Sequence, residues 1–293
     1  MNIESFKIFC DLVETKSFSK AAELNKVTQS AVSQQIRSIE NRFNVLLIER
    51  SQKRFQLTRE GQTFYEGSRK IYEAYENLHG LIQELTASIS GEIRISSVYS
   101  IGLHELPPYI KSFMKKHPTV KVDVEYRRSS QVYEDVLGND ADLGLVAFPH
   151  PKPQVSIEQF RKDRLVLVCH PHHYLANFRS MPIRQIMGHK MVGFDPDVPT
   201  RMALDKIFKS HKMNIKPVME FDNVETLKRA VEIDAGVSIV PLSTVTQEIQ
   251  NKTLKVVEFS DEEITRPLGV IFKKNKVFTP AMKKFVSILK GKI

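Results

Sequence analysis

Residues 17–40 constrain the fold most, because they contain two short helical patterns separated by a break. Ser17 can cap a first helix centred on Ala21, and Thr28 can cap a second helix after a short turn. Apolar residues recur at helical spacing on the second helix, at Val32, Ile36, Ile39 and Phe43. Two amphipathic helices joined by so short a turn predict a helix-turn-helix.

Two further features complete the predicted domain. An apolar stripe near the N-terminus predicts a helix that packs on the other two, and it consists of Phe6, Phe9, Cys10 and Val13. Apolar runs at 45–50 and 54–58 flank a polar loop and predict a β-hairpin wing, with a solvated loop as the alternative. We therefore expect an all-α winged helix-turn-helix domain over residues 1–58.

The outward face of the second helix carries hydroxyl and amide side chains with a single cation. Such groups hydrogen-bond base edges and phosphates in the major groove of DNA, so this face is typical of a recognition helix. An amphipathic hairpin with a solvated polar face is the alternative. The predicted DNA-binding residues, including three wing cations expected to contact phosphates, are Ser19, Thr28, Gln29, Ser30, Ser33, Gln34, Arg37, Arg50, Lys53 and Arg54.

The charge balance fits a polyanionic partner without identifying one. The chain has 43 Lys and Arg against 34 Asp and Glu, a formal net charge of +9. Because it shows neither a signal-peptide pattern nor an apolar run long enough to cross a membrane, a cytoplasmic protein with no membrane partner is expected. Two cysteines, Cys10 and Cys169, exclude a disulfide framework, and a redox switch would need these distant thiols to meet.

A long helix is predicted after Thr58, from residue 59 to about residue 86. Its apolar residues recur every seven positions, and so narrow a stripe has to be buried against another helix. The same helix of a second subunit is the expected partner, with this chain's own C-terminal part as the alternative. We expect residues 59–90 to form a linker and dimerisation helix with contacts from Phe64, Ile71, Leu78, Leu81 and Leu85.

Several segments of this region together resemble the LysR-type transcriptional regulators. They are 17–22, 28–40, 47–50 and 57–61. The sequence departs from the family pattern at Asn44, where Gly is usual, and at Ile48, where Phe is frequent. Asn tolerates the left-handed conformation that ends many helices, so the first departure is mild. The resemblance implies a homotetramer, a dimer of dimers that binds an interrupted palindrome in double-stranded DNA and contacts RNA polymerase.

From residue 91 onward short strands alternate with helices, which predicts an α/β fold with parallel sheets in two lobes. Strands are predicted at 92–97, 120–126, 142–147, 165–169, 190–194, 217–221, 237–240 and 268–272. Helices are predicted at 101–116, 130–138, 200–211, 223–234, 242–250 and 280–290. The resemblance implies a two-lobed, periplasmic-binding-protein-like effector domain whose chain crosses between lobes near 159–163 and 265–267. Lobe 1 is then 91–162 completed by 267–293, and lobe 2 is 163–266.

Candidate effector-binding residues follow four of these strands, where helix N-termini can point free N–H groups into a crevice. By resemblance, Ser100 and Thr200 occupy positions that commonly contact the effector, although Val198 and Pro199 replace the usual Ser-Gly before Thr200. Hydroxyls that only cap helices are the alternative. Arg201 adds a cation next to Thr200, although it can instead pair with Asp205. Together, the Ser100 and Thr200 hydroxyls, the helix N-termini and this cation predict a small anionic effector. The full predicted set is Val98, Tyr99, Ser100, Ile101, Ser129, Ser130, Thr200, Arg201 and Asn223.

No catalytic or metal-binding pattern is recognisable in the sequence. A surface turn beside Pro171 explains the cluster of His170, His172 and His173. We therefore expect no enzyme activity, no cofactor and no metal, but a transcriptional regulator controlled by a small-molecule effector. A bifunctional helix-turn-helix repressor with a catalytic α/β domain is the alternative, and it would need a glycine-rich nucleotide loop. A solute-binding protein would not explain residues 1–58.

Overall fold

The structure, a computed structural model, describes residues 1–49, 55–85 and 89–291. It consists of two compact units. One comprises Met1–Ser90 with Lys276–Lys284, and the other comprises Gly91–Asn275 with Phe285–Ile293. Within the described ranges, no helix is both long and apolar enough to cross a membrane.

The first unit begins with three short helices, which are α1 (Ile3–Thr15), α2 (Phe18–Leu24) and α3 (Gln29–Phe43). The two caps expected from the sequence are present. The Ser17 hydroxyl accepts a hydrogen bond from the Lys20 N–H at 3.3 Å, and the Thr28 hydroxyl accepts one from the Ala31 N–H at 3.2 Å. Asn44 ends α3 in the left-handed conformation, with φ at 52°, as its tolerance of that region predicts.

These helices enclose one apolar core. Val32, Ile36 and Ile39 of α3 are at most 4% exposed and pack against residues of α1 and α2, namely Ile8, Phe9, Leu12, Ala21 and Ala22. Phe43, predicted on the same buried face, is instead 49% exposed. It is the last residue of α3, and its ring makes an edge contact with Phe64 at a centroid distance of 5.5 Å.

The wing begins directly after α3. The Glu49 N–H donates to the Gln56 carbonyl at 3.0 Å, and the Thr58 N–H donates to the Leu47 carbonyl at 3.1 Å. These two bonds close the base of the predicted hairpin. Its tip, residues 50–54, lies outside the described residues.

A long helix, α4 (Arg59–Leu85), follows the wing. The Thr58 hydroxyl accepts from the Gly61 N–H at 2.9 Å and caps its first turn, as the sequence predicts. The ring of Phe64 packs edge-on against Phe9 at 5.1 Å. The first turns of α4 thereby belong to the core of the helix-turn-helix.

The second unit is an α/β fold. Its strands are β1 (Gly91–Val98), β2 (Val120–Arg127), β3 (Leu143–Ala147), β4 (Val155–Cys169), β5 (Ser180–Met181), β6 (Val192–Phe194), β7 (Met219–Phe221), β8 (Ser238–Pro241), β9 (Lys255–Phe259) and β10 (Thr265–Lys273). The helices of the remaining chain are α5 (Tyr99–Gly102), α6 (Leu106–Lys116), α7 (Ser129–Leu137), α8 (Pro199–Ser210), α9 (Val224–Glu232), α10 (Thr246–Asn251) and α11 (Pro280–Leu289). Short 3-10 helices occupy Tyr174–Asn177, Ile183–Ile186 and Leu242–Val245.

The main sheet runs in the order β2-β1-β3-β10-β4-β9-β5, with β8 also paired to β4, while β6 and β7 form a separate pair. Strand β1 is parallel to both of its neighbours, and β10 is antiparallel to both β3 and β4. The segments predicted to cross between lobes, 159–163 and 265–267, lie on β4 and β10 and face each other there. In this register Arg266 is opposite Asp163.

Different hydrophobic cores serve the two halves of this unit. One cluster is built from residues between 132 and 146 together with Ile271. Two other clusters are built from residues between 165 and 264. The α/β region is thus two-lobed, with the long strands β4 and β10 connecting the lobes.

Some elements differ from the sequence-based expectation. The predicted helix 101–116 is two helices, α5 and α6, because Pro107 and Pro108 lack the N–H groups that a continuing helix needs and are tolerated in its first turn. The predicted strand 165–169 is only the fully buried end of β4, whose earlier residues are half-buried or exposed apart from Asp163. Strands β5 and β9 have no counterpart among the predicted strands.

Candidate functional site

The predicted recognition face is free on the surface of α2 and α3. Most of its described side chains are exposed and Ser33 is half-buried; the exposed members are Ser19, Thr28, Gln29, Ser30, Gln34 and Arg37. The Ser19 hydroxyl lies 3.4 Å from Gln29 Oε1, which brings the two helices together at this surface. With its other face in the core, α3 presents outward a row of donors and acceptors that includes Arg37. The predicted contacts Arg50, Lys53 and Arg54 lie outside the described residues.

The heptad stripe of α4 divides into two parts. Phe64, predicted as a dimer contact, packs within its own chain against Phe9 and Phe43, because it lies in the part of α4 that covers the helix-turn-helix core. Further along, Ile71, Leu78 and Leu81 are 46%, 57% and 61% exposed. Two more apolar side chains of this helix, Tyr75 and Ile82, are exposed and were not among the predicted contacts. The side chain of Leu85 lies outside the described set.

In the second unit, a cavity of about 60 Å³ lies between the two lobes. It is formed where β1, β2, β6 and β7 end and the next helices begin. Most of the predicted effector-binding residues line it, and these are Val98, Tyr99, Ser100, Ser129, Ser130, Thr200 and Asn223. Residues that follow four separate strands therefore meet at one place, as expected for the carboxyl ends of strands in an α/β fold.

Two predicted members do not line this cavity. Ile101 is fully buried, since its side chain faces the core beneath α5. Arg201 is held elsewhere by three acceptors, because its guanidinium donates to the Phe194 carbonyl at 2.7 Å, to Glu220 at 2.6 Å and to Asp205 at 2.8 Å. The pairing with Asp205, which the sequence left open, is therefore present, together with the contacts to Phe194 and Glu220.

Of the three polar side chains Ser100, Thr200 and Asn223, only Asn223 has the helix-capping role that was the alternative to effector binding. Asn223 caps α9, because its Oδ1 accepts from the N–H groups of Glu225 and Thr226 at 3.0 and 3.1 Å. The Ser100 hydroxyl instead accepts a hydrogen bond from Arg266, and the Thr200 hydroxyl makes no hydrogen bond within the described part of the chain. Thr200 is nevertheless 4% exposed, in the first turn of α8.

Arg266, which was not among the predicted site residues, reaches the inner wall of the cavity. It is 1% exposed, and its Nη1 donates to the Ser100 hydroxyl at 2.9 Å while its Nη2 donates to Asp163 at 3.2 Å. Asp163 also accepts from the Ser243 hydroxyl at 2.7 Å. Burial lowers the pKa of Arg266, but Asp163 opposes this shift and an arginine stays protonated at neutral pH. Its position in the middle of a crossing segment was the available sequence signal.

A second unpredicted cation, Arg128, lies at the rim of the cavity. Its guanidinium contacts Asp222 at 3.1 Å, Asp195 at 3.2 Å and Asp197 at 3.6 Å. Arg128, Asp197 and Asp222 all line the cavity. Arg127 lines the cavity as well, so its lining carries three arginines. Arg128 lies among the acidic groups of the rim, whereas Arg266 lies on the inner wall beside the Ser100 hydroxyl.

Neither cysteine is poised for thiol chemistry. Both side chains are buried free thiols. Burial raises the pKa of Cys10 to about 12 and that of Cys169 to about 11. Both are therefore protonated at neutral pH, where a reactive cysteine needs a thiolate.

Comparison with known proteins identifies both parts of the chain. Residues 3–62 match the family described as bacterial regulatory helix-turn-helix protein, lysR family, and residues 86–293 match the LysR substrate binding domain. The HTH-type transcriptional regulator CysL of Bacillus subtilis (strain 168) is 26% identical over 99% of this chain and 97% of its own length.

Solved structures agree in fold. The crystal structure of CbnR, a LysR family transcriptional regulator, aligns with a TM-score of 0.62 at 20% identity, covering 99% of this chain and 100% of its own. The effector binding domain of QuiR in complex with shikimate aligns with a TM-score of 0.64 at 20% identity, covering 69% of this chain and 97% of its own.

These matches cover the helix-turn-helix and the α/β domain alike, so the repressor with a catalytic domain is no longer a candidate. The chain belongs to the LysR family of transcriptional regulators, which are DNA-binding proteins with a two-lobed effector-binding domain and are not enzymes.

Proposed function

We propose that this LysR-family regulator is controlled by a small anionic effector that binds in the cavity between its lobes. It acts in the cytoplasm without a resident cofactor, as a dimer of dimers on an interrupted palindrome in double-stranded DNA, and contacts RNA polymerase. The proposed domains are those expected from the sequence, namely 1–58, 59–90, 91–162 with 267–293, and 163–266.

The observation that carries this proposal is the buried Arg266 guanidinium on the wall of the cavity. A guanidinium has five donors in a fixed plane, and its described contacts with Ser100 and Asp163 use two of them. The Ser100 and Thr200 hydroxyls and the first turn of α8 lie on the same cavity. A carboxylate or another compact oxyanion matches this set of donors.

The size and lining of the cavity limit the effector further. The space open to the centres of water-sized groups is about 60 Å³, which suits a compact ligand. Apolar side chains of Val98, Val198 and Val224 form part of the wall. We therefore expect a short acid with a small apolar part. The effector-binding domain of QuiR holds shikimate, and we assign ligand binding to the corresponding domain here.

DNA binding is assigned to the exposed face of α3, with Gln34 and Arg37 as its central contacts. Dimerisation is assigned to the exposed apolar side chains of α4, because an apolar face of this extent marks an interaction surface. Effector binding would shift an equilibrium between lobe or subunit arrangements and so change how paired recognition helices sit on DNA and bend it.

The experiment that tests this function is DNase footprinting of the purified protein on the DNA flanking its own gene. The proposal predicts a protected interrupted palindrome whose footprint survives competition by unrelated DNA. Equal binding to the flanking DNA and to unrelated DNA would contradict the assignment of a sequence-reading face.

A further inference from the structure

Arg128 joins the two lobes across the rim of the effector cavity. It precedes α7, which belongs with β1 to β3, whereas its three carboxylate partners follow β6 and β7. The distances to Asp222, Asp195 and Asp197 are 3.1, 3.2 and 3.6 Å. One guanidinium therefore bridges from one wall of the cavity to the other.

The three carboxylates are close together because the ends of β6 and β7 are paired. The Asp195 N–H donates to the Phe221 carbonyl at 2.8 Å, and Asp222 is the next residue in the chain. Three like charges this close repel one another unless a cation lies among them. Arg128 supplies that cation from the opposite lobe, so separating the lobes exposes the repulsion again.

The adjacent residue provides an internal comparison. Arg127 forms its ion pairs with Glu125 and with Asp135, the latter at 3.6 Å, and both partners belong to the same lobe as Arg127. The side chains of Arg127 and Arg128 are similarly exposed, at 41% and 44%. Two neighbouring arginines thus differ in whether their partners lie across the cavity.

We propose that Arg128 is an ionic latch that holds the lobes closed over the cavity and sets how readily an effector enters and leaves. This inference rests on the proposed function, because it assumes that the effector binds in this cavity. Because the latch is partly exposed, salt screens it, and closure should weaken as ionic strength rises. One exposed ion pair changes an equilibrium constant by roughly 1.5-fold to fivefold. Three such pairs together should therefore shift the equilibrium between open and closed lobes by about threefold to a hundredfold.

The test is hydrogen exchange of the full-length protein, followed in peptides that contain residues 98–101 and 198–201. These segments line the cavity, and N–H groups in the first turn of a helix have no intrahelical partner, so their protection depends on access of water. The variants are Arg128→Gln and, as the matched control, Arg127→Gln. Neither DNA nor effector is needed, so this test and the footprinting experiment can fail independently.

The latch predicts that Arg128→Gln speeds exchange in both cavity segments by about threefold or more, while Arg127→Gln leaves them at the wild-type rate. Raising NaCl from about 0.1 M to about 1 M should speed exchange in the wild type and have little effect in Arg128→Gln. Arg128→Lys, which retains the charge, should lie between the wild type and Arg128→Gln. Unchanged exchange in Arg128→Gln, or equal acceleration in Arg127→Gln, would overturn the proposal.

Discussion

Arg266 and Asp163 lie opposite each other on the two strands that connect the lobes, with Nη2 and Oδ2 3.2 Å apart. Both are buried, at 1% and 8% exposure. Arg266 also donates to Ser100 on the cavity wall, and Asp163 accepts from Ser243 in a 3-10 helix of the other lobe. One hydrogen-bonded chain therefore runs from the effector cavity through both connecting strands.

The first prediction concerns this pair. Arg266→Gln leaves the Asp163 carboxylate buried without a cation, so we expect the free energy of unfolding to fall by about 3–5 kcal/mol. Urea denaturation followed by circular dichroism measures the loss. Arg127→Gln, which breaks two partly or fully exposed ion pairs, should cost at most about 2 kcal/mol. Adding Asp163→Asn to Arg266→Gln should restore part of the stability, because the unpaired buried charge is removed. If the losses in free energy of unfolding of the two single variants simply add in the double variant, the two residues are not a coupled pair.

The second prediction concerns the recognition face. Gln34→Ala should reduce discrimination between the operator and other DNA, because a side chain that reads base edges is lost. Arg37→Gln should weaken binding to all sequences and lower the slope of log K against log salt by about 0.9 if one phosphate contact is lost. Fluorescence anisotropy at several salt concentrations measures both effects. Gln62→Ala, an exposed glutamine on α4, is the control, and the same behaviour in all three variants would reject this face.

The third prediction concerns assembly. Replacing both Ile71 and Leu78 by Asp places charges on the exposed apolar face of α4, where a dimer would have to bury them without partners. We expect the double variant to be monomeric by light scattering and to lose operator binding at the same time. Lys70→Asp also adds a negative charge to an exposed part of this helix and should leave the mass unchanged. Retention of the wild-type mass by the double variant would assign the stripe to a contact within the chain.

The helix-turn-helix was predictable because its signals are local. The caps at Ser17 and Thr28 and the apolar spacing from Val32 to Ile39 depend on neighbours within a few residues, and the structure places them as expected. Phe43 continued the same spacing but lies at the helix end, where periodicity no longer implies burial. Periodicity likewise indicated that α4 carries an apolar stripe. It could not indicate that Phe64 of this stripe packs in the core of its own helix-turn-helix.

The effector cavity was only partly predictable because its charged groups depend on distant pairing. Strand ends followed by helices located Ser100 and Thr200 from local pattern alone. Arg266 contacts Asp163, 103 positions away, and Arg128 contacts Asp195, 67 positions away. The partners of Arg128 cannot be read from the residues next to it, and for Arg266 the only signal was that it and Asp163 lie in the two predicted crossing segments. Arg201 was the predicted cation because it follows Thr200 in the sequence. Its guanidinium is instead bound by Asp205 of its own helix and by Glu220 of β7.

The measurement that tests the central claim most directly is a dose-response of operator binding to short carboxylic acids and inorganic oxyanions, with the uncharged amide of each carboxylic acid as its control. The account predicts that a responding acid changes the footprint while its amide does not. In Thr200→Val, which keeps the side-chain shape but removes the hydroxyl, the operator should still be bound. The response should then need about 5-fold to 150-fold more of that acid, equivalent to a lost hydrogen bond of about 1–3 kcal/mol. A response to the amide equal to that of the acid, or a dose-response unmoved in both Thr200→Val and Ser100→Ala, would contradict an anion site between the lobes.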